Sequence, residues 1–300
     1  MVVREKVKDF NVDHIFDCGQ CFRWNREQDG SYTGIAFGKP VNISFETYME
    51  EQGEGRLCID NIDEAEFEEH WCGYLDLNRD YGEIKRILAE KDPIMAEAIK
   101  SGQGIRILRQ DPWETLISFI ISQNNNIPRI KKCIESLCEL FGESAGSFRG
   151  RNYFAFPKAP VLARLTEEQL APVRLGYRAK YIIETAKKVA ADHAGAEPTD
   201  TEEILQTLEQ LPLADTAKGY AYLTSLCGVG PKVANCILLF GMAKHESFPI
   251  DVWVRRVMHR LYGIDEKDMK HMADYAADHF GSYGGIAQQY LFYHIRQLEK

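Results

Sequence analysis

A segment with two glycines and a proline, within residues 226–236, constrains the fold of this 300-residue chain more than any other feature. Gly228 and Gly230 flank a single valine, and glycine adopts positive φ without steric cost, so the chain can reverse tightly there. Pro231 follows at once, and proline is favoured in the first turn of a helix. The segment therefore predicts two helices joined by a tight hairpin near residues 222–236, the second beginning at Pro231.

The start of that second helix is suited to binding an anion. Its first amides lack partners within the helix and carry partial positive charge, so a phosphate can bind them without any side chain. Such a helix-hairpin-helix is typical of proteins that hold the DNA backbone. Lys232 follows the turn directly. On the hairpin alone, this lysine is either a plain phosphate contact or a reactive amine.

A second motif ends in Asp251, which directly precedes the amphipathic pattern of residues 252–261. The position predicts an N-cap, because a carboxylate oxygen can accept a hydrogen bond from helix-start amides. A carboxylate held there stays ionised and can also stabilise a developing cation. Capping alone and capping combined with catalysis both fit the sequence, and the second makes Lys232 a nucleophile.

Charge and hydropathy limit the class of protein. Hydrophobic residues make up 45% of the chain, but no apolar run reaches the roughly 18 residues that indicate a membrane span. The first residues do not form a signal peptide, so we expect a soluble cytoplasmic protein with no membrane partner. The net charge of −9 argues against nucleic-acid binding, but residues 1–100 carry about −10 of it and residues 101–300 about +1. The acidic residues concentrate within 50–69 and are expected to face away from DNA.

Cysteine usage indicates reduced thiols rather than disulfides or a metal centre. The chain has eight cysteines without a secretory signal. Cys18 and Cys21 form a C-x-x-C, but no second pair follows at zinc-ribbon spacing. The C-terminus also lacks the four-cysteine loop of an iron–sulfur protein. We expect no iron–sulfur cluster and no required cofactor.

The periodicity predicts an α+β protein. Residues 10–60 contain short alternating runs separated by glycine and proline, which indicates an antiparallel sheet. Residues 63–100 are predicted as helices with Trp71, Tyr74 and Leu75 buried. From Asp111 onward the pattern is helical nearly throughout. The sequence thus predicts a β-containing cap followed by a helical body.

Two basic segments could contact a distorted duplex. An apolar helix ends in three asparagines, residues 124–126, and the next helix carries Arg129 in its first turn. Residues 174–180 hold three basic residues around Tyr177. An enzyme that extrudes a nucleotide needs side chains to fill the gap and to bond the unpaired partner base. A polar connector and an ordinary helix start are the alternative readings.

Two helical spacings could build a pocket for a base. Cys236 lies four residues after Lys232, so both share a helix face. Gln288 and Phe292 have the same spacing, and an amide with a ring on one face can read and stack on a base. Core packing explains Cys236 and Phe292 equally well on this information alone.

Taken together, these motifs resemble the 8-oxoguanine DNA glycosylase/AP lyase family of the helix-hairpin-helix-Gly-Pro-Asp superfamily, over roughly residues 10–295. The resemblance implies a small β-rich N-terminal domain over residues 1–103 and a helical body over residues 104–300. In that family the body has two lobes with the DNA cleft between them, and the hairpin lies at their junction.

The resemblance also implies a bifunctional enzyme of base excision repair. Lys232 attacks the sugar C1′ with help from Asp251, which gives a Schiff base and then strand cleavage by β-elimination. Gly19 accepts the N7 proton that 8-oxoguanine has and guanine lacks. Gln288 reads the edge of the base, and the purine lies between Cys236 and Phe292.

The same resemblance assigns contacts to duplex DNA carrying 8-oxoguanine opposite cytosine. Asn124 fills the gap, Tyr177 is the wedge, and Arg129 and Arg178 bond the cytosine. In the same family the hairpin contacts the DNA backbone, which assigns Gly228 and Gly230 to phosphate binding. Trp253 stands at a DNA-contacting position where some members have histidine. The resemblance also implies that the carbonyls of Thr224, Leu226 and Val229 bind a monovalent or similar cation.

Two alternatives remain open in the sequence. A relative acting on an alkylated purine would share the fold, but such relatives generally lack the hairpin lysine. A non-catalytic DNA-binding module would need the hairpin but not Lys232, Asp251, Gln288 and Phe292 together. We expect a monomer that acts in the cytoplasm of a bacterium, associated with the nucleoid.

Overall fold

The computed structural model describes residues 1–49, 54–194, 208 and 210–298. Residues 50–53, at the start of the acidic segment, lie outside this range. Within it, the predicted α+β class is confirmed: an antiparallel sheet near the N-terminus is followed by a mainly helical body. No helix in the described ranges is long and apolar enough to cross a bilayer.

The N-terminal sheet has the strand order β1-β5-β4-β3-β2, all neighbours antiparallel. The strands are β1 (Val2–Val7), β2 (Trp24–Arg26), β3 (Tyr32–Ala36), β4 (Lys39–Met49) and β5 (Glu54–Asp60). Burial alternates along β5, where Leu57 and Ile59 are buried and Arg56 is exposed. This period of two gives the sheet one apolar face.

Helices cover the apolar face of the sheet and continue into the body. The predicted anchors Trp71, Tyr74 and Leu75 are buried, and Trp24 donates a hydrogen bond to the Tyr74 hydroxyl at 2.9 Å. The helices of this part are α1 (Val12–Phe16), α2 (Glu64–Glu66), a π-helical turn (Phe67–Trp71), α3 (Cys72–Tyr74), α4 (Tyr81–Lys91) and α5 (Pro93–Ser101).

The body is built from longer amphipathic helices around a second apolar core. They are α6 (Pro112–Ser122), α7 (Ile127–Phe141), α8 (Ala159–Leu162), α9 (Glu167–Leu170), α10 (Arg178–Ala194), α11 (Thr216–Thr224), α12 (Pro231–Met242), α13 (Val252–Tyr262), α14 (Met269–Phe280) and α15 (Gly284–Leu298), with short 3₁₀ turns at Ala171–Val173, Leu211–Leu213 and Gly281–Tyr283. Helix α12 is apolar on nearly every face, so it lies at the centre of this core.

The domain boundary predicted at residues 103 and 104 stays a prediction. Helices α4 and α5 precede it, yet α5 packs against α15, and Leu88 and Met95 belong to the apolar core of the body. The N-terminal segment therefore contributes a sheet of its own and two helices to the neighbouring core.

A two-stranded hairpin interrupts the body where the sequence predicted helix. Strands β6 (Ser144–Phe148) and β7 (Arg151–Phe154) pair antiparallel. Gly146 and Gly150 both have positive φ, which glycine alone adopts without strain. Gly150 lies in the turn, and Gly146 lies within β6 where the strand pairing is irregular, so the helical prediction was wrong for this segment.

Candidate active site

The predicted hairpin joins α11 to α12. The amide of Val229 donates to the carbonyl of Leu226 at 3.2 Å and closes the turn. Gly228 has φ of +77°, and a Cβ added there would lie 2.6 Å from the ring of Tyr181. Glycine is therefore required at 228 for conformation and for space. Gly230 is the N-cap of α12, and Pro231 occupies its first turn.

Lys232 lies in the first turn of α12 and is partly buried. Its Nζ is 5.1 Å from the ring centroid of Phe119, which belongs to α6. The aromatic face attracts the ammonium and holds its long side chain over the core. The amine is thus directed inward, beside the hairpin, rather than into solvent.

Asp251 caps α13 as the sequence predicted. Its Oδ1 accepts a hydrogen bond from the amide of Val254 at 2.8 Å. Asp251 and Lys232 line the same narrow pocket, whose open volume is about 40 Å³. The other residues around that pocket are Cys18, Gly19, Phe119, Cys236, Phe240, Pro249, Gln288, Gln289 and Phe292. The structure therefore brings together the six residues that the sequence assigned to catalysis and base recognition.

The pocket has one aromatic wall and one thiol wall. Gly19 has φ of +80°, and a Cβ there would lie 3.5 Å from the ring of Phe292, so that ring packs on the glycine backbone. Cys236 is buried, and burial raises the pKa of its thiol although the nearby Lys232 lowers it. A neutral thiol offers a polarisable apolar surface.

The floor of the pocket carries two neighbouring amides. Gln288 and Gln289 are 4% and 3% exposed. Nε2 of Gln289 donates to Oε1 of Gln288 at 3.2 Å. Oε1 of Gln289 is buried and has no hydrogen-bond partner among the described residues.

A residue that the sequence did not single out, Gln20, fixes the Gly19 segment. Its side chain is fully buried and makes three hydrogen bonds to main chain: Nε2 donates to the carbonyls of Ile15 at 2.9 Å and Arg106 at 2.8 Å, and Oε1 accepts from the amide of Leu108 at 2.8 Å. The partners at 106 and 108 lie on the connection to the body. A glutamine among apolar residues gives no periodic signal, so nothing in the sequence indicated this role.

Residues 123–126 between α6 and α7, here called the asparagine loop, are hydrogen-bonded to the hairpin. Nε2 of Gln123 donates to the carbonyl of Gly228 at 2.9 Å. Arg178 is buried, and its guanidinium donates to the carbonyls of Gln123, Asn124 and Leu175. In this structure Arg178 therefore holds the loop in place. The sequence predicted only a contact between Arg178 and cytosine and not this structural role.

The remaining predicted DNA contacts are at the surface. Asn124 is exposed with φ of +47°, and its Nδ2 lies 3.4 Å from the hydroxyl of Tyr177. Tyr177 is 49% exposed and packs edge-on against Tyr181 at 5.6 Å. Arg129 is exposed as well. Asn124 and Tyr177 thus contact each other at the surface, and the DNA-binding roles of all three residues stay predictions.

An open groove of about 510 Å³ leads to the pocket, and Lys232 and Asp251 line both. Asn124 and Trp253 also line the groove. The guanidinium carbon of Arg256 lies 5.1 Å from the centroid of the Trp253 ring. At this position the groove presents an aromatic surface.

The chain that leads to Asp251 contains a buried histidine. His245 is 7% exposed, and its Nε2 lies 4.0 Å from Oδ2 of Asp76 without a hydrogen-bond partner in the described part of the chain. Burial lowers the pKa of His245 to about 4; Arg79 and Arg109 act in the same direction, and Asp76 opposes them. The imidazole is therefore neutral at physiological pH.

The hairpin carbonyls suit a hard cation by their chemistry, since main-chain oxygens are the donors such ions prefer. The oxygen of Leu226 already accepts one hydrogen bond, from Val229, and a carbonyl has two lone pairs. Across the described ranges, no cluster of three or more histidine, cysteine, aspartate or glutamate residues could hold a metal ion.

Two family models together span most of the chain. Residues 2–116 match "8-oxoguanine DNA glycosylase, N-terminal domain", and residues 117–280 match the HhH-GPD superfamily of base excision DNA repair proteins. The chain is 32% identical to an N-glycosylase/DNA lyase of Arabidopsis thaliana over 284 residues, which cover 92% of this chain and 75% of that protein.

It is 46% identical to an N-glycosylase/DNA lyase of Saccharomyces cerevisiae over 166 residues, 55% of this chain, and spans 43% of the length of that relative. A crystal structure of the Clostridium acetobutylicum 8-oxoguanine glycosylase/lyase, bound to double-stranded DNA with cytosine opposite 8-oxoguanine, superimposes with a TM-score of 0.87. The identity is 40%, and the alignment covers 100% of this chain and 99% of that chain.

Proposed function

Because the chain belongs to the 8-oxoguanine glycosylase family of the HhH-GPD superfamily, we propose that it excises 8-oxoguanine from duplex DNA and then cleaves the strand. One observation carries this proposal: Lys232, Asp251, Gly19 and Gln288 line a single pocket that opens into a groove. An amine, a carboxylate and base-reading groups are the parts that a glycosylase with lyase activity needs.

The reaction begins with Lys232 as a neutral amine, after its ammonium group has given a proton to solvent. Attack on C1′ forms a carbon–nitrogen bond and breaks the bond to the base, which leaves with the electron pair and takes up a proton. Positive charge develops on the sugar, and the carboxylate of Asp251 stabilises it. Loss of the nitrogen proton and ring opening give a Schiff base. A proton then leaves C2′ and the 3′-phosphate departs, which cuts the strand.

Recognition of the lesion depends on the carbonyl of Gly19. The N7 position carries a proton in 8-oxoguanine and a lone pair in guanine, so the carbonyl accepts a hydrogen bond from the first and repels the second. A buried acceptor facing an acceptor is unfavourable by the loss of a bond and by desolvation. The left-handed conformation of Gly19 directs its peptide, and Gln20 keeps that segment in place.

Recognition of the opposite strand belongs to the exposed residues of the loop. Asn124 enters the gap left by the extruded nucleotide, and Tyr177 wedges between the neighbouring bases and kinks the duplex. Arg129 donates to the O2 and N3 acceptors of the unpaired cytosine. Arg178 reaches the cytosine only by releasing carbonyls of the loop, so it couples cytosine recognition to the loop conformation.

Several finer assignments belong to the same proposal. The carbonyls of Thr224, Leu226 and Val229 would hold a monovalent cation whose charge offsets a DNA phosphate next to the hairpin. Trp253 offers its ring to a sugar or base in the groove rather than a charged bond to phosphate. The enzyme acts as a monomer, because one cleft can bind a duplex without a second subunit. Its place of action is the bacterial cytoplasm.

Borohydride trapping tests the proposed reaction directly. A duplex with 8-oxoguanine opposite cytosine should give a covalent adduct with the wild-type protein and none with Lys232→Gln. Lys187→Gln changes an exposed lysine of α10 that pairs with Glu184, and it should trap like wild type. Absence of an adduct with the wild-type protein would overturn the proposal.

Three further duplexes test the opposite-base assignment. With adenine, guanine or thymine opposite the lesion, excision should be slower than with cytosine, because only cytosine offers two adjacent acceptors, O2 and N3, on its Watson–Crick edge. Equal rates on all four duplexes would refute the roles of Arg129 and Arg178. Excision of an alkylated purine in preference to 8-oxoguanine would favour the related activity instead.

A further inference from the structure

The neighbouring amides of Gln288 and Gln289 share the floor of the base pocket. Adjacent residues of a helix point in different directions, so the two amides meet only because their side chains turn toward each other. The bond runs from Nε2 of Gln289 to Oε1 of Gln288 at 3.2 Å. In this arrangement the Oε1 end of the Gln288 amide lies on the side of Gln289.

The orientation of a glutamine amide decides which purine edge it can read. A guanine-type edge presents, in order, the O6 acceptor, the N1–H donor and the N2 amine donor. An adenine-type edge presents the N6 amine donor followed by the N1 acceptor. A glutamine rotated by half a turn exchanges its donor and its acceptor, so a free amide accommodates either edge.

We propose that Gln289 determines specificity by holding the Gln288 amide in the orientation that fits a guanine-type edge. This inference rests on the proposed function and concerns the same pocket. With Oε1 of Gln288 toward Gln289, its Nε2 faces O6, and its Oε1 faces N1–H. An adenine-type edge in the same place sets donor against donor and acceptor against acceptor.

The unpaired oxygen of Gln289 completes the match. Oε1 of Gln289 lies buried beside the pocket with no partner in the described part of the chain. A buried acceptor without a donor is unfavourable. The N2 amine, the next group along a guanine-type edge, supplies that donor. Three groups of the base then meet three groups of the protein in register, and adenine-type bases lack the third.

Three substrates separate the two contributions of Gln289. Single-turnover excision is measured with 8-oxoguanine, 8-oxoadenine and 8-oxohypoxanthine, each opposite cytosine. The last has O6 and N1–H but no N2 amine. The wild-type protein should prefer 8-oxoguanine over 8-oxohypoxanthine by about fivefold, the effect of one hydrogen bond, and over 8-oxoadenine by more.

Two variants of Gln289 change its bonding at similar side-chain size. Gln289→Leu removes donor and acceptor together, so the preference over 8-oxohypoxanthine should vanish and that over 8-oxoadenine should fall about fivefold or more. In Gln289→Glu the ionised carboxylate can only accept. It should turn Nε2 of Gln288 toward itself and favour 8-oxoadenine. Gln297→Leu, at an exposed position of the same helix, should leave both ratios unchanged.

The pH profile of the glutamate variant distinguishes recognition from packing. A protonated carboxyl can donate to Gln288, so the ratio of 8-oxoguanine to 8-oxoadenine rates should rise as the pH falls. Both rates in the ratio are measured on the same variant, so a change in the folded fraction or in the reactivity of Lys232 affects both equally and does not change the ratio. If both variants keep the wild-type ratios of excision rates, or lose the same activity on all three substrates, this inference is wrong while the proposed function still stands. A wild-type protein that leaves 8-oxoguanine intact would overturn the proposed function and this inference with it.

Discussion

Replacement of Gln20 by leucine tests whether one buried amide holds the Gly19 segment against the body. Leucine has a similar size and cannot form hydrogen bonds. Three main-chain groups then lose their partner: the carbonyls of Ile15 and Arg106 and the amide of Leu108. The amide of Leu108 loses the only acceptor that the described residues give it, whereas the carbonyl of Ile15 still accepts a weak bond from the thiol of Cys18 at 3.3 Å.

The cost follows from the number of orphaned groups. A buried donor or acceptor without a partner costs about 1–3 kcal/mol. The Leu108 amide and the Arg106 carbonyl bear most of this penalty, and the added apolar contacts of leucine offset part of it. We expect the free energy of unfolding to fall by about 3 kcal/mol, a large share of the roughly 5–15 kcal/mol of a typical domain.

Urea denaturation followed by tryptophan fluorescence and circular dichroism measures this difference. Gln28→Leu makes the same replacement at an exposed position of the same domain and should change stability by less than about 0.5 kcal/mol. A loss below about 1 kcal/mol in Gln20→Leu would show that Gln20 does not position the segment. At temperatures where the variant is folded, its preference for 8-oxoguanine over guanine should also fall, because the Gly19 carbonyl is no longer fixed.

Three further predictions concern the hairpin and the residues near it. Asp251→Asn preserves the N-cap, so the unfolding free energy should change by less than about 1 kcal/mol while single-turnover excision falls about 100-fold or more. Gly228→Ala must adopt positive φ and meets Tyr181, so it should destabilise by about 2 kcal/mol in urea titrations. A Cβ at residue 230 has free space, so Gly230→Ala should lower the free energy of unfolding by less than Gly228→Ala does. As the pH falls from 6.5 to 4, His245 takes up a proton in the unfolded chain but not in the folded protein, so the free energy of unfolding decreases. In His245→Gln this decrease should be smaller, as measured by the midpoint of urea denaturation at each pH.

Local rules sufficed for the elements that carry the catalytic groups. The hairpin follows from the glycine requirement at 228 and from a proline in the first turn, and both act within a few residues. The cap at Asp251 is equally local, since its oxygen bonds an amide three residues ahead. Such signals survive in any tertiary context, so the sequence predicted these elements and their boundaries.

The elements that were missed depend on distant contacts or on short segments. The β6–β7 hairpin has only a few residues in each strand, and its alternation is too short to compete with the helical pattern on either side. Gln20 binds main chain 86 residues away. Gln289 is visible as a neighbour of Gln288, but the orientation of its amide depends on packing within the pocket. No periodicity records such bonds.

Two hydrogen bonds link Arg178, the asparagine loop and the turn before Lys232, which are proposed to contact different strands of a duplex. Gln123 joins the loop to the hairpin through the carbonyl of Gly228, and Arg178 holds the loop through the carbonyl of Gln123. A movement of Arg178 toward an unpaired cytosine therefore releases main chain that is bonded to the turn just before Lys232. Both bonds are 2.9 Å long and partly buried, and they couple a shift of the loop to the turn. If the proposed contacts hold, we expect the opposite base to affect the position of the nucleophile as well as the affinity for DNA, although the two sites contact different strands.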